Sequence, residues 1–372
     1  MKINYYMPTR VIAGENCVFE NRAVLKDLGR RALIVTGKHS ARANGSYADV
    51  VKALEANGQT YALYDQVVSN PTVDNAYEAA ALARREQCGF IVAIGGGSPL
   101  DAAKVAAALA LREVEKAEIF GTVFTGALPI AAVPTTAGTG SEVSPAAVLT
   151  NDAEQTKTSI SFPALFARFA FLDARYTETL PRQVTINTAI DALSHAIEGM
   201  LSIRASAPSD MLARESIRLI AECFEDLGGE QAGLPVRWKL LYASTLAGMV
   251  IANAGTTAVH ALGYMLTYFK HLDHGRANGL LLAQYLRFVE EAERSPKAGP
   301  SGRIGEILGA LQLGSVGEFA RILDRLLGEK EKPEDLELEY YADRSITTKN
   351  IQNCALKPDR DDLLRILRGS FA

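Results

Sequence analysis

The run Phe90–Ile94 (FIVAI), leading straight into Gly95-Gly96-Gly97-Ser98, constrains the fold more than any other stretch. Five consecutive apolar residues leave a strand no polar face to offer water, so it must be covered on both sides. The pattern recurs along the first half. Arg31–Thr36 (RALIVT) is an apolar strand closed by Gly37, Tyr47–Ala56 is helical, and Thr60–Tyr64 is a second strand. Asp74–Gln87 is an alanine-rich amphipathic helix, Asp101–Leu111 a small-residue helix, and Pro129–Val133 (PIAAV) a further strand. Strands alternating with helices at this spacing predict a parallel sheet with helices on both faces.

The middle of the chain changes character. Val148–Thr150, Thr156–Ile160 and Ala170–Leu172 are short strands, and from about Pro181 strand patterns stop. Val184–Ser202, Asp210–Leu227, Val236–Asn253, Thr257–Phe269 and Gly279–Glu293 read as helices. Shorter helical patterns follow at Ile304–Leu311, Val316–Leu327, Pro333–Asp343 and Arg360–Arg368. The expected organisation is an α/β domain over residues 1–178 and an all-helical domain over 179–372.

A chain of 372 residues with 48% hydrophobic content is long enough for two cores. The net charge is −4 and the pI about 5.9, with no basic stripe, which argues against nucleic acid or anionic membrane as partner. The opening MKINYYMPTRVIAG has no signal-peptide pattern, and no apolar run approaches the roughly 18 residues of a spanning helix. Cys17, Cys88, Cys223 and Cys354 show no CxxC spacing, so neither a disulfide framework nor a thiolate metal site is expected. A cytoplasmic protein with reduced thiols is the expectation.

Two small-residue segments follow buried strands. In the first, Gly95-Gly96-Gly97-Ser98-Pro99-Leu100-Asp101 opens a helix, where exposed N–H groups form an anion site. The second is Pro134–Glu142, PTTAGTGSE. Neither matches GxGxxG or GxxxxGK[ST], and a tight turn that binds nothing is the plain alternative for each. Two such segments at carboxyl ends of one sheet favour a crevice holding a pyrophosphate.

The chain has five histidines, and four of them lie in the window Asp191–His274. Asp191 and His195, at i and i+4, share one helix face. Alone they read as an ordinary helix-face hydrogen bond. His260 and His274, from separate segments, turn the set into a candidate divalent-metal site. An aspartate with imidazoles suits Fe²⁺, Zn²⁺, Mn²⁺ or Ni²⁺, and three or four ligands with an open position make such a site catalytic. No HExxH motif is present.

Taken together, these marks resemble the iron-containing (group III) alcohol dehydrogenases, from the N-terminal strand to about residue 290. They are Gly95-Gly96-Gly97-Ser98 with Asp101, PTTAGTGSE at Pro134–Glu142, Asp191-Ala192-Leu193-Ser194-His195 with Glu198, and His260 with His274 and Gly275. The resemblance implies a Rossmann-like nucleotide domain with a parallel sheet, followed by a helical metal-binding and catalytic domain. It implies a metal-dependent, NAD(P)-linked alcohol dehydrogenase or aldehyde reductase acting on small primary alcohols, diols or aldehydes. Asp191, His195, His260 and His274 match the metal ligands, usually of Fe²⁺ and sometimes of Zn²⁺. Gly95, Gly96, Gly97, Ser98 and Asp101 match pyrophosphate and nicotinamide-ribose contacts, and Thr135, Thr136 and Thr139 match further cofactor contacts. Asn70 and Lys157 match positions lining the cofactor cleft, and Leu180 one near the adenine. A homodimer or larger homo-oligomer is implied as well.

Two positions distinguish this chain. After RALIVT, NAD-using members often carry an acidic residue; here the sequence is Gly37-Lys38-His39-Ser40, which has no carboxylate to repel a 2′-phosphate. NADP is expected over NAD. Where many members have His-Pro after the third ligand, this chain has Tyr264-Met265, so Tyr264 and His271 are the proton-relay candidates. Glycerol dehydrogenase-like and maleylacetate reductase-like oxidoreductases share the architecture, and a non-catalytic nucleotide- or metal-binding protein is the alternative outside enzymes.

Overall fold

Alternating burial builds the first half of the molecule. The computed structural model describes residues 3–229, 232–294 and 302–372. In chain order its elements are β1 (Arg10–Ala13), α1 (Cys17–Glu20), β2 (Arg31–Gly37), α2 (Ser40–Ala43), α3 (Ser46–Ala56), β3 (Thr60–Val67) and α4 (Val73–Arg85). Then come β4 (Phe90–Gly95), α5 (Gly97–Leu111), β5 (Ile130–Pro134), β6 (Ala146–Asn151), β7 (Thr156–Ser161) and β8 (Phe169–Leu172). Leu33, Val35, Ile91, Ala93 and Ala132 enter the core on one face of the sheet. Their neighbours Ala32, Ile34, Phe90, Val92, Ile94, Ala131 and Val133 enter a second core on the other. Side chains two apart share a face, so each apolar run supplies both cores.

Six strands form a sheet of order β1-β8-β5-β4-β2-β3, with every pairing parallel. After β3 the chain crosses back to the other side of β2, so the order reverses between β2 and β4, where Thr36 lies opposite Ile94. In open parallel sheets, the carboxyl ends at such a reversal are where ligands bind. Of the three short middle strands, β8 joins this sheet, whereas β6 and β7 form a separate antiparallel hairpin.

The second half is helical: α6 (Arg182–Met200), α7 (Ala207–Ala221), α8 (Phe224–Gly228), α9 (Leu234–Ala254), α10 (Ala258–Phe269) and α11 (His274–Arg294). The remainder are α12 (Arg303–Leu311), α13 (Val316–Leu327), α14 (Asp335–Ser345), α15 (Lys349–Gln352) and α16 (Arg360–Phe371). The helix read over Asp210–Leu227 is two, α7 and α8, divided at Glu222-Cys223. The helix expected from Gly279 instead begins at His274, through Gly275. Glycine usually weakens a helix, but here it permits contact between helices. A Cβ on Gly275 would lie 1.8 Å from the Asn187 carbonyl oxygen of α6.

Two compact units result. One comprises Met7–Leu180 with Gly233–Leu241; the other comprises Pro181–Ala232 and Tyr242–Ala372 with the N-terminal residues to Tyr6. Among the described residues no single helix is long and apolar enough to cross a membrane. All four cysteines are buried free thiols.

Candidate functional site

α6 carries Asp191, His195 and Glu198 at i, i+4 and i+7, so one helix face presents all three. Residues 191–200 are buried throughout, which puts this face inside the helical unit. α10 contributes His260 and Tyr264, and the first turn of α11 contributes His274. One carboxylate oxygen organises the set. Asp191 Oδ1 lies 3.9 Å from His195 Nε2, 3.9 Å from His260 Nε2 and 3.8 Å from His274 Nε2. Nitrogen and oxygen donors so spaced can share one transition-metal ion at ordinary ligand distances of about 2.0–2.2 Å. The Asp191, His195 and His260 donor atoms all lie within 4.8 Å of one another. The His274 side chain is 25% exposed, against 6% or less for the other three, so the set opens on that side.

Burial pushes the Asp191 carboxyl up, but the imidazoles of His195, His274 and His260 and the Asn278 amide more than offset it. The net shift is below the ordinary aspartate value, which keeps the carboxylate ionised for a cation. Glu198, fully buried, accepts from the Thr257 backbone N–H at 2.7 Å, from Thr257 Oγ1 at 2.8 Å and from the His260 N–H at 3.3 Å. Its other oxygen faces His260 Nδ1 in a short hydrogen bond. Burial raises its pKa, yet His260 and Thr257 together bring it below the ordinary glutamate value. With Nδ1–H directed at Glu198, His260 turns its Nε2 toward Asp191, where a lone pair could serve a metal ion.

Tyr264, one turn on from His260, stacks on the His274 ring with centroids 5.4 Å apart and planes at 13°. It meets His260 edge-on at 6.1 Å. His271 lies exposed between α10 and α11, with φ 53°. Asn278, missed in the sequence reading, is fully buried, and its amide nitrogen lies 2.9 Å from Asp191 Oδ1. Its spacing of four from His274 was the available signal, because both fall on one face of α11.

The glycine segments lie in the sheet unit. Gly95 ends β4 at φ +148°, where a Cβ would meet the Pro99 ring at 2.5 Å. α5 then starts at Gly97 without a capping side chain, so its first N–H groups are available to an anion. Thr135 donates its N–H to the Gly95 carbonyl at 2.9 Å, joining the two segments. A Cβ on Gly96 would meet Thr136 Oγ1 at 3.0 Å, and one on Gly97 would meet Thr139 Cγ2 at 2.7 Å. Ser98, like Gly96 and Gly97, is half-buried. Asp101 is engaged within the protein: Oδ1 accepts from Ser141 Oγ at 2.6 Å and Oδ2 from the Val148 N–H at 2.9 Å. Buried Lys104 joins the same network, donating to Ser141 Oγ and the Ala146 carbonyl, each at 2.6 Å.

Asn70, at φ 58°, accepts from Lys157 Nζ at 2.5 Å, so these two sequence candidates meet. The Leu180 carbonyl accepts from Arg237 Nη2 at 3.4 Å, and Leu180 itself is half-buried. Gly37 closes β2 beside β4, and Lys38, His39 and Ser40 after it are exposed.

Comparison with known proteins identifies the family. Residues 8–174 match the family model described as iron-containing alcohol dehydrogenase. Residues 185–369 match the model described as Fe-containing alcohol dehydrogenase family, C-terminal. A 1,3-propanediol dehydrogenase of Klebsiella pneumoniae is 31% identical over 386 residues, covering 99% of this chain and 97% of its own. The crystal structure of an iron-containing alcohol dehydrogenase from Thermotoga maritima superposes with TM-score 0.90 at 35% identity, covering 99% of both chains. A sulfoacetaldehyde reductase from Bifidobacterium kashiwanohense, in complex with NAD+, superposes with TM-score 0.87 at 27% identity, covering 100% of this chain and 99% of its own. With both halves matched, the chain belongs to the iron-containing alcohol dehydrogenase family and is an oxidoreductase.

Proposed function

We propose that this protein is a metal-dependent NAD(P)-linked alcohol dehydrogenase or aldehyde reductase for small primary alcohols, diols or aldehydes. The observation that carries the reading is Asp191 Oδ1 facing three histidine Nε2 atoms at 3.8–3.9 Å, in a chain that also holds two glycine-rich segments on a parallel sheet. Asp191, His195, His260 and His274 are the residues that would hold the ion, Fe²⁺ first and Zn²⁺ or another divalent ion second. When bound, such an ion supplies Lewis acidity, which polarises a substrate oxygen and lowers the proton affinity of an alcohol. Hydride chemistry belongs to the nicotinamide. The relatives named for 1,3-propanediol and sulfoacetaldehyde support small substrates with an alcohol or aldehyde group.

The chain's own residues have separable tasks. Glu198 orients His260 and fixes its tautomer. Tyr264 braces His274 by stacking, and its phenol stands where the resemblance implies a histidine in many family members. In the nucleotide domain, residues 1–178, the N–H groups at Gly96, Gly97 and Ser98 take the pyrophosphate, with Thr135, Thr136 and Thr139 on the adjoining segment. Asp101, Asn70 and Lys157 serve the same cofactor, and Leu180 its adenine. Residues 179–372 form the metal-binding and catalytic domain.

NADP is the preferred cofactor in this reading. Gly37 offers no carboxylate; Lys38 and His39 follow it, and α2 then brings Ser40 and the exposed Arg42, whose guanidinium lies 4.5 Å over the Tyr47 ring and 3.6 Å from Asp65. Cations at that turn favour a 2′-phosphate. We also read the protein as cytoplasmic, supported by its four free thiols, and as a homodimer or larger homo-oligomer, supported by the resemblance alone. Reconstitution with Fe²⁺ or Zn²⁺, followed by an aldehyde and diol panel with NADPH and NADH, tests the function. Turnover of a short aldehyde is expected; no nicotinamide oxidation with any substrate would overturn the reading.

A further inference from the structure

His274 is the first residue of α11, the weakest place in a helix from which to hold a ligand atom still. The first N–H groups of a helix have no partner within it, so its opening turn frays unless something outside ties it down. His274 is also the most exposed of the four candidate ligands, so packing does less to fix it. One tie comes from α6. Asp273 precedes His274, and its carbonyl accepts from the Ala277 N–H at 2.9 Å, which makes it the N-cap of α11. An N-cap aspartate usually turns its carboxylate onto the N–H groups of its own first turn. Among the described residues, the Asp273 carboxylate instead accepts from Asn187 Nδ2, at 2.9 Å. Asn187 is buried, and its Oδ1 accepts from Gln183 Nε2 at 2.9 Å. An ionised carboxylate only accepts, so the Asn187 amide has its nitrogen toward Asp273 and its oxygen toward Gln183.

Asn187 lies one turn before Asp191 on the same face of α6. Its main chain is used as well, since its carbonyl oxygen is the atom that leaves no room for a Cβ at Gly275. Asn187 thus meets both neighbours of His274, Asp273 through its amide and Gly275 through its carbonyl. Arg276 anchors the same turn to the Leu327 carbonyl at 2.6 Å, whereas Asn187 anchors it to the helix that carries Asp191 and His195. From this arrangement we infer that Asn187 is a positioning residue of the proposed metal site. Through Asp273 it sets where His274 enters, and with that the 3.8 Å between His274 Nε2 and Asp191 Oδ1. Asn187 is not itself a ligand, because both polar ends of its side chain are taken by protein partners. The inference rests on the metal reading proposed above and adds a residue outside the ligand set.

Co²⁺ is the probe, with affinity read by chelator competition beside the visible spectrum and the urea midpoint. Wild type is compared with Asn187→Asp, with Asn187→Asp combined with Asp273→Asn, and with Asp273→Leu and Asp273→Asn alone. Asn187→Asp sets two carboxylates face to face, so affinity should fall about 10–100-fold, the usual loss when a group supporting a ligand is removed, and the spectrum should change. A negative charge added near a cation site would by itself tighten binding, so the direction is diagnostic. The double variant reverses the bond and restores the net charge; its affinity should return to within about threefold of wild type. A lower urea midpoint with wild-type affinity and spectrum in Asn187→Asp would show a purely structural contact, and the inference falls. It falls equally if Asn187→Asp binds more tightly than wild type, or if the double variant binds no better than Asn187→Asp. Should Asn187→Asp fail to fold, the exposed position 273 decides. Asp273→Asn loses the charge and keeps an acceptor, whereas Asp273→Leu loses both; affinity of the leucine variant about tenfold or more below the asparagine one supports the inference, and equal affinities overturn it. Failure of wild type itself to take up Co²⁺ refutes the metal reading, a result distinct from the other outcomes.

Discussion

Glu198 hydrogen-bonds the Nδ1 side of His260 while the Nε2 side of the same ring faces Asp191. A carboxylate with no solvent exposure thereby sets the tautomer of a histidine in the proposed metal site.

Burial pushes the His260 pKa down, but Glu198 and then Asp191 more than offset it, so the net shift is upward. A raised folded value contributes stability below the unfolded histidine pKa of about 6.5, and that contribution is lost as pH rises through the folded value. A proton on His260 competes with a divalent ion, so Zn²⁺ affinity should tighten as pH rises through the raised His260 value, by up to about tenfold per pH unit for each proton released. Glu198→Gln should weaken Zn²⁺ by about 10–100-fold on the alkaline side of that rise and flatten the dependence. Chelator competition measures both; the same affinity and slope in the variant would contradict the role of Glu198.

Gly275, next to His274, is a point of close approach between α6 and α11. An added Cβ would lie 1.8 Å from the Asn187 carbonyl oxygen and 3.1 Å from Asp191 Cβ. Gly275→Ala should therefore cost about 1–3 kcal/mol, the usual range for overpacking. Urea denaturation measures it, and an unchanged midpoint would show that the two helices part freely.

Gly37 has room for a side chain, since a Cβ there would meet only the Val67 carbonyl oxygen, at an ordinary 3.4 Å. Gly37→Asp should move the kcat/KM ratio toward NADH by on the order of tenfold or more, through repulsion of the 2′-phosphate. A wild-type enzyme that already prefers NADH, or a variant with an unshifted ratio, would remove the NADP assignment.

Sequence pattern revealed the sheet because Leu33–Val35 and Ile91–Ile94 are apolar on both faces, a signal that survives without tertiary context. The glycine segments and the Asp191, His195, His260 and His274 set were readable as residue types in order. Helix α11 was misjudged at its start because Gly275 and Gly279 look like breakers until the neighbouring helix shows why no side chain fits. Asn278 escaped notice since a mid-helix asparagine has no signature of its own. Its meaning depends on Asp191, 87 positions away in sequence. The antiparallel β6–β7 hairpin was likewise indistinguishable from sheet strands by composition.

Tyr264 combines a ring stacked on His274 with a phenol. Tyr264→Phe keeps the ring, so Zn²⁺ affinity should stay within about twofold. The pH–rate profile of kcat should change if the phenol relays the proton, and an unchanged profile would remove it from that role.

The most direct test of the account is Asp191→Ala, assayed for bound metal and for aldehyde-dependent NADPH oxidation on the same preparation. Asp191 Oδ1 is the atom that all three imidazoles face, so metal and activity should be lost together while the fold, followed by circular dichroism, persists. A folded variant that holds no metal and turns over at the wild-type rate would contradict it.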